Sequence, residues 1–90
     1  MDKPAKKYFM YVLLCNDNTL YTGFTTDVEK RFQAHQTGKG AKYTRSHRPV
    51  KVLFQKAFSQ KHDALSAEYH FKQLSRKQKL YYIQHPEAFK

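Results

Sequence analysis

Tyr8-Phe9-Met10-Tyr11-Val12-Leu13-Leu14-Cys15, then Asn16-Asp17-Asn18-Thr19, then Leu20-Tyr21-Thr22-Gly23-Phe24-Thr25, is the stretch that decides the fold. The first eight residues are apolar throughout, the pattern of a strand covered on both faces, and so predict the centre of a sheet. Four turn formers and a second apolar run predict a hairpin, with strands over about 8–15 and 20–25.

Side chains alternate across a strand, so Tyr21 and Gly23 share a face, and the glycine is expected to leave open space beside the phenol that would admit a phosphate. Register decides whether Tyr11 joins them. A four-residue loop puts Tyr11 on the opposite face; a five-residue loop, Cys15 to Thr19, pairs Tyr11 with Gly23 and brings both phenols together. We expect the second arrangement. Tyrosine is a favoured strand residue, so two of them, taken alone, are more often plain sheet surface than a site.

Outward from the hairpin, Met1 to Lys7 carries Pro4 and three lysines and reads as a flexible arm, 1–7. Thr26-Asp27-Val28-Glu29 has the form of a capping box, Thr26 bonding the first-turn amides and Glu29 reaching back, and predicts a helix over about 27–36. Val28, Phe32 and His35 fall on one face of it, with Arg31 one turn before His35. Arg31 and His35 can therefore point together beside the hairpin; each alone reads more readily as an exposed arginine and a capping histidine. Gly38-Lys39-Gly40 ends the helix and permits close approach of backbone to an anion. Residues 41–45 can form a helical turn with Tyr43 among cations, either as a phosphate or base contact or as a packing lid.

Val50, Val52, Phe54 and Lys56 alternate with Lys51, Leu53, Gln55 and Ala57, predicting a half-exposed edge strand over about 50–58, its lysines discouraging aggregation. Ser59 is a plausible cap for a helix over about 60–74 with a stripe of Ala64, Ala67, Phe71 and Leu74. Glu68 falls inside that stripe. A carboxylate on a buried face needs a cation, which leaves a metal or an ion pair with Arg31 or a lysine as its partner. Ser75-Arg76-Lys77-Gln78 is a second capping box, opening a helix over about 76–84 that Pro86 stops. Residues 85–90 form a short tail, with Phe89 expected to tuck onto the core. The fold class is α+β: a three-stranded antiparallel sheet flanked by helices in ββαβαα order, one domain over 8–84.

Ninety residues bury only about 60% of the surface their unfolded chain exposes, so seven Phe and seven Tyr must supply much of the core. The formal charge is +10, and no acid stands between Glu29 and Asp63. Nine cations do: Lys30, Arg31, Lys39, Lys42, Arg45, Arg48, Lys51, Lys56 and Lys61. A merely solvated face mixes signs, so nucleic-acid phosphate is the favoured partner over an anionic membrane or an acidic protein. Cys15 is the single cysteine, which excludes an intrachain disulfide and a thiolate zinc site and fits a reducing compartment. The start lacks the apolar run of a signal peptide, and no segment nears the roughly 18 apolar residues of a membrane helix, so a soluble cytoplasmic protein with no membrane partner is expected.

No two of the five histidines stand at helical ligand spacing, and phosphate-loop and dinucleotide motifs are absent. No helix carries the base-reading pattern of a helix-turn-helix. What remains is one acid, Arg31, two phenols and a basic surface. Phosphodiester hydrolysis uses such a set: a carboxylate to hold Mg²⁺, a cation for the non-bridging oxygens and a base for water. A phenol ionises near pH 10, so a tyrosine base needs positive neighbours, here Arg31, His35 and the metal.

With these residues the chain resembles the GIY-YIG nuclease superfamily, and within it the small stand-alone, single-domain (UPF0213-like) branch. Phe9-Met10-Tyr11 stands where that family has Gly-Ile-Tyr, and Tyr21-Thr22-Gly23 where it has Tyr-Ile-Gly. The intervals from Tyr11 to Tyr21 and on to Arg31 match. The run from His35 to Arg45 is similar to the continuation in the small branch, Glu68 sits on the helix expected to carry the metal ligand, and the likeness covers about residues 7 to 84. The resemblance implies cleavage of DNA with a single divalent ion, Mg²⁺, leaving a 5′-phosphate. It implies Tyr21 as general base, Tyr11 orienting water or phosphate, Arg31 stabilising the transition state, Glu68 as metal ligand, and His35 and Tyr43 in support. Phe9 and Thr22 depart from the motif, and no asparagine follows Asn18, where several active relatives use a late one.

The expected nucleic-acid contacts are Gly23, Lys39, Lys42, Tyr43, Arg45 and Arg48. The leading expectation is an Mg²⁺-dependent DNA endonuclease, structure-selective or weakly specific. Without a recognition domain, its specificity would come from DNA shape, branched or single-stranded, or from a partner protein. The alternatives are a catalytically silent nucleic-acid-binding module and, on charge and size alone, an RNA-binding accessory of translation.

Overall fold

The structure, a computed structural model, describes residues 6–89; most of the expected N-terminal arm lies outside the described residues. Strands β1 (Tyr8–Cys15), β2 (Leu20–Thr25) and β3 (Pro49–Phe58) form one antiparallel sheet in the order β2-β1-β3. The all-apolar run is the central strand because both its faces are covered: Met10, Tyr11, Val12 and Leu13 are buried without a polar interruption. Four helices follow in the chain: α1 (Val28–Gln36), α2 (Lys42–Ser46), α3 (Lys61–Lys72) and α4 (Arg76–Gln84). The order is the expected one, with α2, a five-residue turn between α1 and β3, added as a separate element.

The hairpin takes the five-residue loop. Tyr11 pairs with Gly23 and Leu13 with Tyr21, while Asn18 turns the chain at φ 66° and Asp17 accepts from the Thr19 amide and hydroxyl. One sheet face carries Tyr11 and Leu13, packed with Val28, Phe32, Tyr21 and Val52 under α1. The other carries Met10 and Val12, packed with Phe54, Ala67 and Phe71 beneath α3, with Tyr82 and Ile83 of α4 at the margin. Phe89 closes this second core, its ring set edge-on to Phe71 at 5.4 Å and to Phe54 at 6.1 Å. Burying a Phe contributes about 1.5–3 kcal/mol.

Four local expectations are corrected. The α1 cap is Asp27, whose carboxylate accepts from the Lys30 amide, one residue later than a Thr26 capping box requires. Asp27 wins because Thr25 Oγ1 already accepts from its own amide, which fixes the turn before it. Helix α3 starts at Lys61 after Gln60, with no side-chain cap from Ser59, and ends at Lys72 rather than Leu74. In β3 the simple alternation fails: the pairing shifts between Val12 and Leu13 and again between Leu14 and Cys15. The first shift inserts Leu53, so Phe54 opposes Val12 on one face while Val52 opposes Leu13 on the other. The strand also begins one residue early, at Pro49, where a sheet edge has no use for the missing amide. The Ser75 capping box is present with both reciprocal hydrogen bonds.

Candidate active site

Because Tyr11 lies on the central strand opposite Gly23, its ring runs outward across the edge strand β2. A Cβ built on Gly23 would meet Tyr11 Oη at 2.5 Å and Cζ at 2.6 Å. The room beside Gly23 is therefore filled by the Tyr11 phenol rather than left open for phosphate, and the glycine serves to seat the tyrosine. Tyr21, two residues earlier on the same face, sets its ring 6.4 Å from that of Tyr11.

Helix α1 brings His35 onto these two rings. His35 is buried, with centroids 6.0 Å from Tyr11 and 5.1 Å from Tyr21. Its Nε2 lies 2.8 Å from Tyr11 Oη and its Nδ1 2.8 Å from Thr44 Oγ1, and Thr44 donates to the Ala41 carbonyl at 2.8 Å. One assignment gives each of these protons an acceptor: Tyr11 donates to Nε2, Nδ1 donates to Thr44, and Thr44 donates to Ala41, an arrangement in which the Ala41 amide, 3.4 Å from Nδ1, does not find its acceptor there. Gly40 makes this possible. A Cβ there would overlap His35 Nδ1 and stand 2.7 Å from Cγ, so Gly40 clears space for the imidazole, not for an anion as its neighbour Lys39 suggested. Gly38, at φ 80°, ends α1 in the left-handed conformation.

Burial holds the His35 pKa down, to about 4, and the Arg31 guanidinium pushes the same way. The ring is neutral at pH 7 and gives Tyr21 no positive charge, which corrects that part of the sequence reading. Burial likewise pushes the Tyr11 hydroxyl up, to about 12, against the opposing pull of Arg31, with negative charge on Tyr21 and Glu68 adding to the rise. Tyr11 is thus a fixed neutral phenol. By contrast, no hydrogen bond among the described residues holds the Tyr21 hydroxyl; since no buried side-chain oxygen or nitrogen lacks a partner, that hydroxyl is open to water.

The depressed His35 pKa has a consequence for stability. Below pH 6.5 the unfolded chain takes up a proton on this ring that the folded chain refuses until about pH 4. Stability from this group is complete above pH 6.5 and falls as pH drops from there toward 4. The loss is on the order of 3 kcal/mol. Thermal melts between pH 7 and 4 are expected to show it, and a His35→Gln protein is expected to have a shallower slope; equal slopes would refute the assignment.

Glu68 arrives from the other side of the sheet. Helix α3 packs Ala67 and Phe71 against the opposite face, leaving Glu68 partly buried, not fully buried as its stripe position suggested, and bonded to Lys72. Of the partners open to it in the sequence, a lysine takes the place. Leu20, Tyr21, Thr22, Tyr43, Lys72 and Lys79 line one groove that crosses the β2 edge. Lys72 thus joins the carboxylate to a groove that Glu68 itself does not line, and Glu68 is the smallest of the charges that bear on Tyr11. Among the described residues no three His, Cys, Asp or Glu side chains cluster as metal ligands. A single, partly exposed carboxylate joined to that groove through Lys72 suits a hard ion such as Mg²⁺, which takes one or two carboxylates and completes its shell with water and phosphate; it does not suit zinc.

Helix α2 supplies the remaining wall. Tyr43 stacks on Tyr21 with centroids 5.9 Å apart, and His47 stacks on Tyr43 at 4.1 Å while bonding Asp17 of the hairpin turn. The residues the sequence reading missed here are Thr44, His47, Asp17 and Lys72. Only Lys72, one helical turn after Glu68, carried a readable signal. Lys39, Lys42, Arg45 and Arg48 are exposed, and none pairs with a carboxylate among the described residues. They do not line the groove, and Lys42 and Arg45 flank its Tyr43 wall on α2.

Residues 7–81 match the family model of the GIY-YIG catalytic domain. A UPF0213 protein of Streptococcus agalactiae is 59% identical over 75 residues, 83% of this chain and 85% of the relative. One from Bacillus velezensis is 54% identical over 80 residues, 89% of this chain and 81% of the relative. Two solution NMR structures share the fold: a UPF0213 protein from Bacillus halodurans, 42% identical with a TM-score of 0.57 over 87% of this chain and 83% of that one, and a protein from E. faecalis, 39% identical with a TM-score of 0.63 over 97% and 92%. No described helix is long and apolar enough to cross a membrane.

Proposed function

The chain belongs to the GIY-YIG family, and from that premise we propose that it is a Mg²⁺-dependent endonuclease hydrolysing DNA phosphodiester bonds, structure-selective or weakly specific. One observation supports the reading above others: two phenols, Arg31 and a neutral imidazole meet at the β2 edge, beside a strongly cationic surface and a groove that Lys72 joins to Glu68.

In this reading Tyr21 Oη takes a proton from the attacking water, whose oxygen bonds to phosphorus as the bond from phosphorus to the 3′ oxygen breaks; the 3′ oxygen takes a proton from solvent and a 5′-phosphate is left. Tyr21 must shed its own proton first. His35 is neutral and supplies no charge there, while Lys72 and Lys79 line the groove into which the Tyr21 hydroxyl opens. Tyr11, its proton held by His35 Nε2, keeps its lone pairs toward Arg31 and the phosphate and orients them. Arg31 meets the non-bridging oxygens as their charge grows. Glu68 would hold the divalent ion, which would supply Lewis-acid charge to the phosphodiester. Lys39, Lys42, Arg45 and Arg48 bind the flanking backbone, and Tyr43 offers a ring to a base. Specificity would come from DNA shape or from a partner protein.

The test is incubation of the protein with nicked, flapped, branched and single-stranded DNA, with Mg²⁺ and with a chelator. Metal-dependent products bearing a 5′-phosphate are expected. Binding with no cleavage of any of these substrates would replace the proposal with a nucleic-acid-binding module.

A further inference from the structure

Lys72 Nζ lies 3.2 Å from Glu68 Oε2, one helical turn apart on α3. A Glu-to-Lys pair at this spacing is commonplace on an exposed helix and adds little to stability. Two features separate this one from that background. The Glu68 side chain is only 19% exposed against 50% for Lys72, so the carboxylate depends on its partner far more than the ammonium does. Lys72 also lines the groove shared by Tyr21, Thr22, Tyr43 and Lys79. Its flexible stem can deliver the charge to the carboxylate or to a phosphate in that groove.

We infer that Lys72 is the resident counter-ion of Glu68, displaced by a divalent cation and drawn off by a DNA phosphate, so that nucleic acid raises metal affinity through this one side chain. The inference rests on Glu68 as the cation ligand. Without DNA, an incoming ion meets a carboxylate already neutralised and an ammonium that repels it. With a strand in the groove, phosphate takes Lys72 and leaves Glu68 free. Linkage makes the effect mutual: the metal, by releasing Lys72, tightens DNA by the same factor. Removing one positive charge beside a divalent ion on a partly solvated carboxylate is worth about three- to tenfold in affinity.

Mn²⁺ is the probe, its free concentration read by electron paramagnetic resonance. A Tyr21→Phe background keeps DNA whole, and the proteins compared carry Lys72, K72M, K72R or E68Q, each with and without a dT12 oligonucleotide whose own binding is followed by fluorescence anisotropy. Without DNA, K72M should bind Mn²⁺ about three- to tenfold tighter than the Lys72 protein, and K72R should not. The oligonucleotide should tighten Mn²⁺ binding more for the Lys72 protein than for K72M. Equal DNA-free affinities, a K72R protein that behaves like K72M, or the same gain from dT12 in both would each overturn the inference. Undiminished Mn²⁺ binding by E68Q would instead show that Glu68 is not the ligand, and no anisotropy change would count against nucleic acid itself, so the two failures are distinguishable from that of Lys72.

Discussion

Tyr21→Phe is expected to cut DNA about 10²- to 10⁴-fold more slowly than the wild type, the usual worth of a positioned general base, and to bind DNA unchanged. The two phenols are not equivalent. The Tyr11 hydroxyl is bonded to His35 and pushed up to about 12, so it parts with a proton only at cost. The Tyr21 hydroxyl meets water in a groove that holds Lys72 and Lys79. Deleting its single oxygen leaves the ring stacked on Tyr43 and edge-on to His35, so packing is kept and only the chemistry is lost. Tyr11→Phe is a poorer probe: it strands a buried imidazole nitrogen, which costs about 1–3 kcal/mol and confuses stability with rate. Single-turnover cleavage beside anisotropy makes the comparison. A Tyr21→Phe protein that cuts at the wild-type rate would remove this residue from the mechanism.

What could be read along the chain and what could not divides by the range of the interaction. The central strand, the hairpin register and the Ser75 capping box are set by residues within a few positions of one another, and the sequence carries each. The inserted Leu53 in β3 is set by what β1 presents opposite it, and alternation within β3 holds no sign of it. The glycines make the point for the site. Composition says that Gly23 and Gly40 leave room; only the tertiary fold says that Tyr11 and His35 take it. The same burial that fills the room discharges His35, and so a residue counted as a cation in the sequence becomes a neutral spacer. Glu68 lies between these cases: its place in the stripe was legible, its Lys72 partner was legible as one of several, and its partial exposure was not. The contact of Asp17 with His47, separated by 30 residues, has no local signature at all.

Gly40→Ala is expected to cost about 2–5 kcal/mol, because the imidazole it would strike has nowhere to go. The added methyl would overlap Nδ1 and lie 2.7 Å from Cγ and 2.8 Å from Cε1 of His35. That ring is buried, bonded at both nitrogens, and set against Tyr11 and Tyr21. If His35 swings out, the Tyr11 and Thr44 hydroxyls lose their partner in the interior; if the backbone moves instead, the turn between α1 and α2 shifts and carries Tyr43 off Tyr21. For a domain of this size the melting temperature should fall by about 10 °C or more. Gly38→Ala supplies the contrast. Gly38 sits at φ 80° with nothing within 4 Å of its added Cβ, so its cost is only the left-handed backbone, roughly 1–2 kcal/mol. Backbone angle alone ranks Gly38 as the more sensitive of the two glycines; the packing of His35 reverses that order. Thermal melts of the two alanine variants decide it, and a Gly40→Ala protein melting at or above Gly38→Ala would mean that the imidazole is not the rigid strut that holds Tyr11 in place.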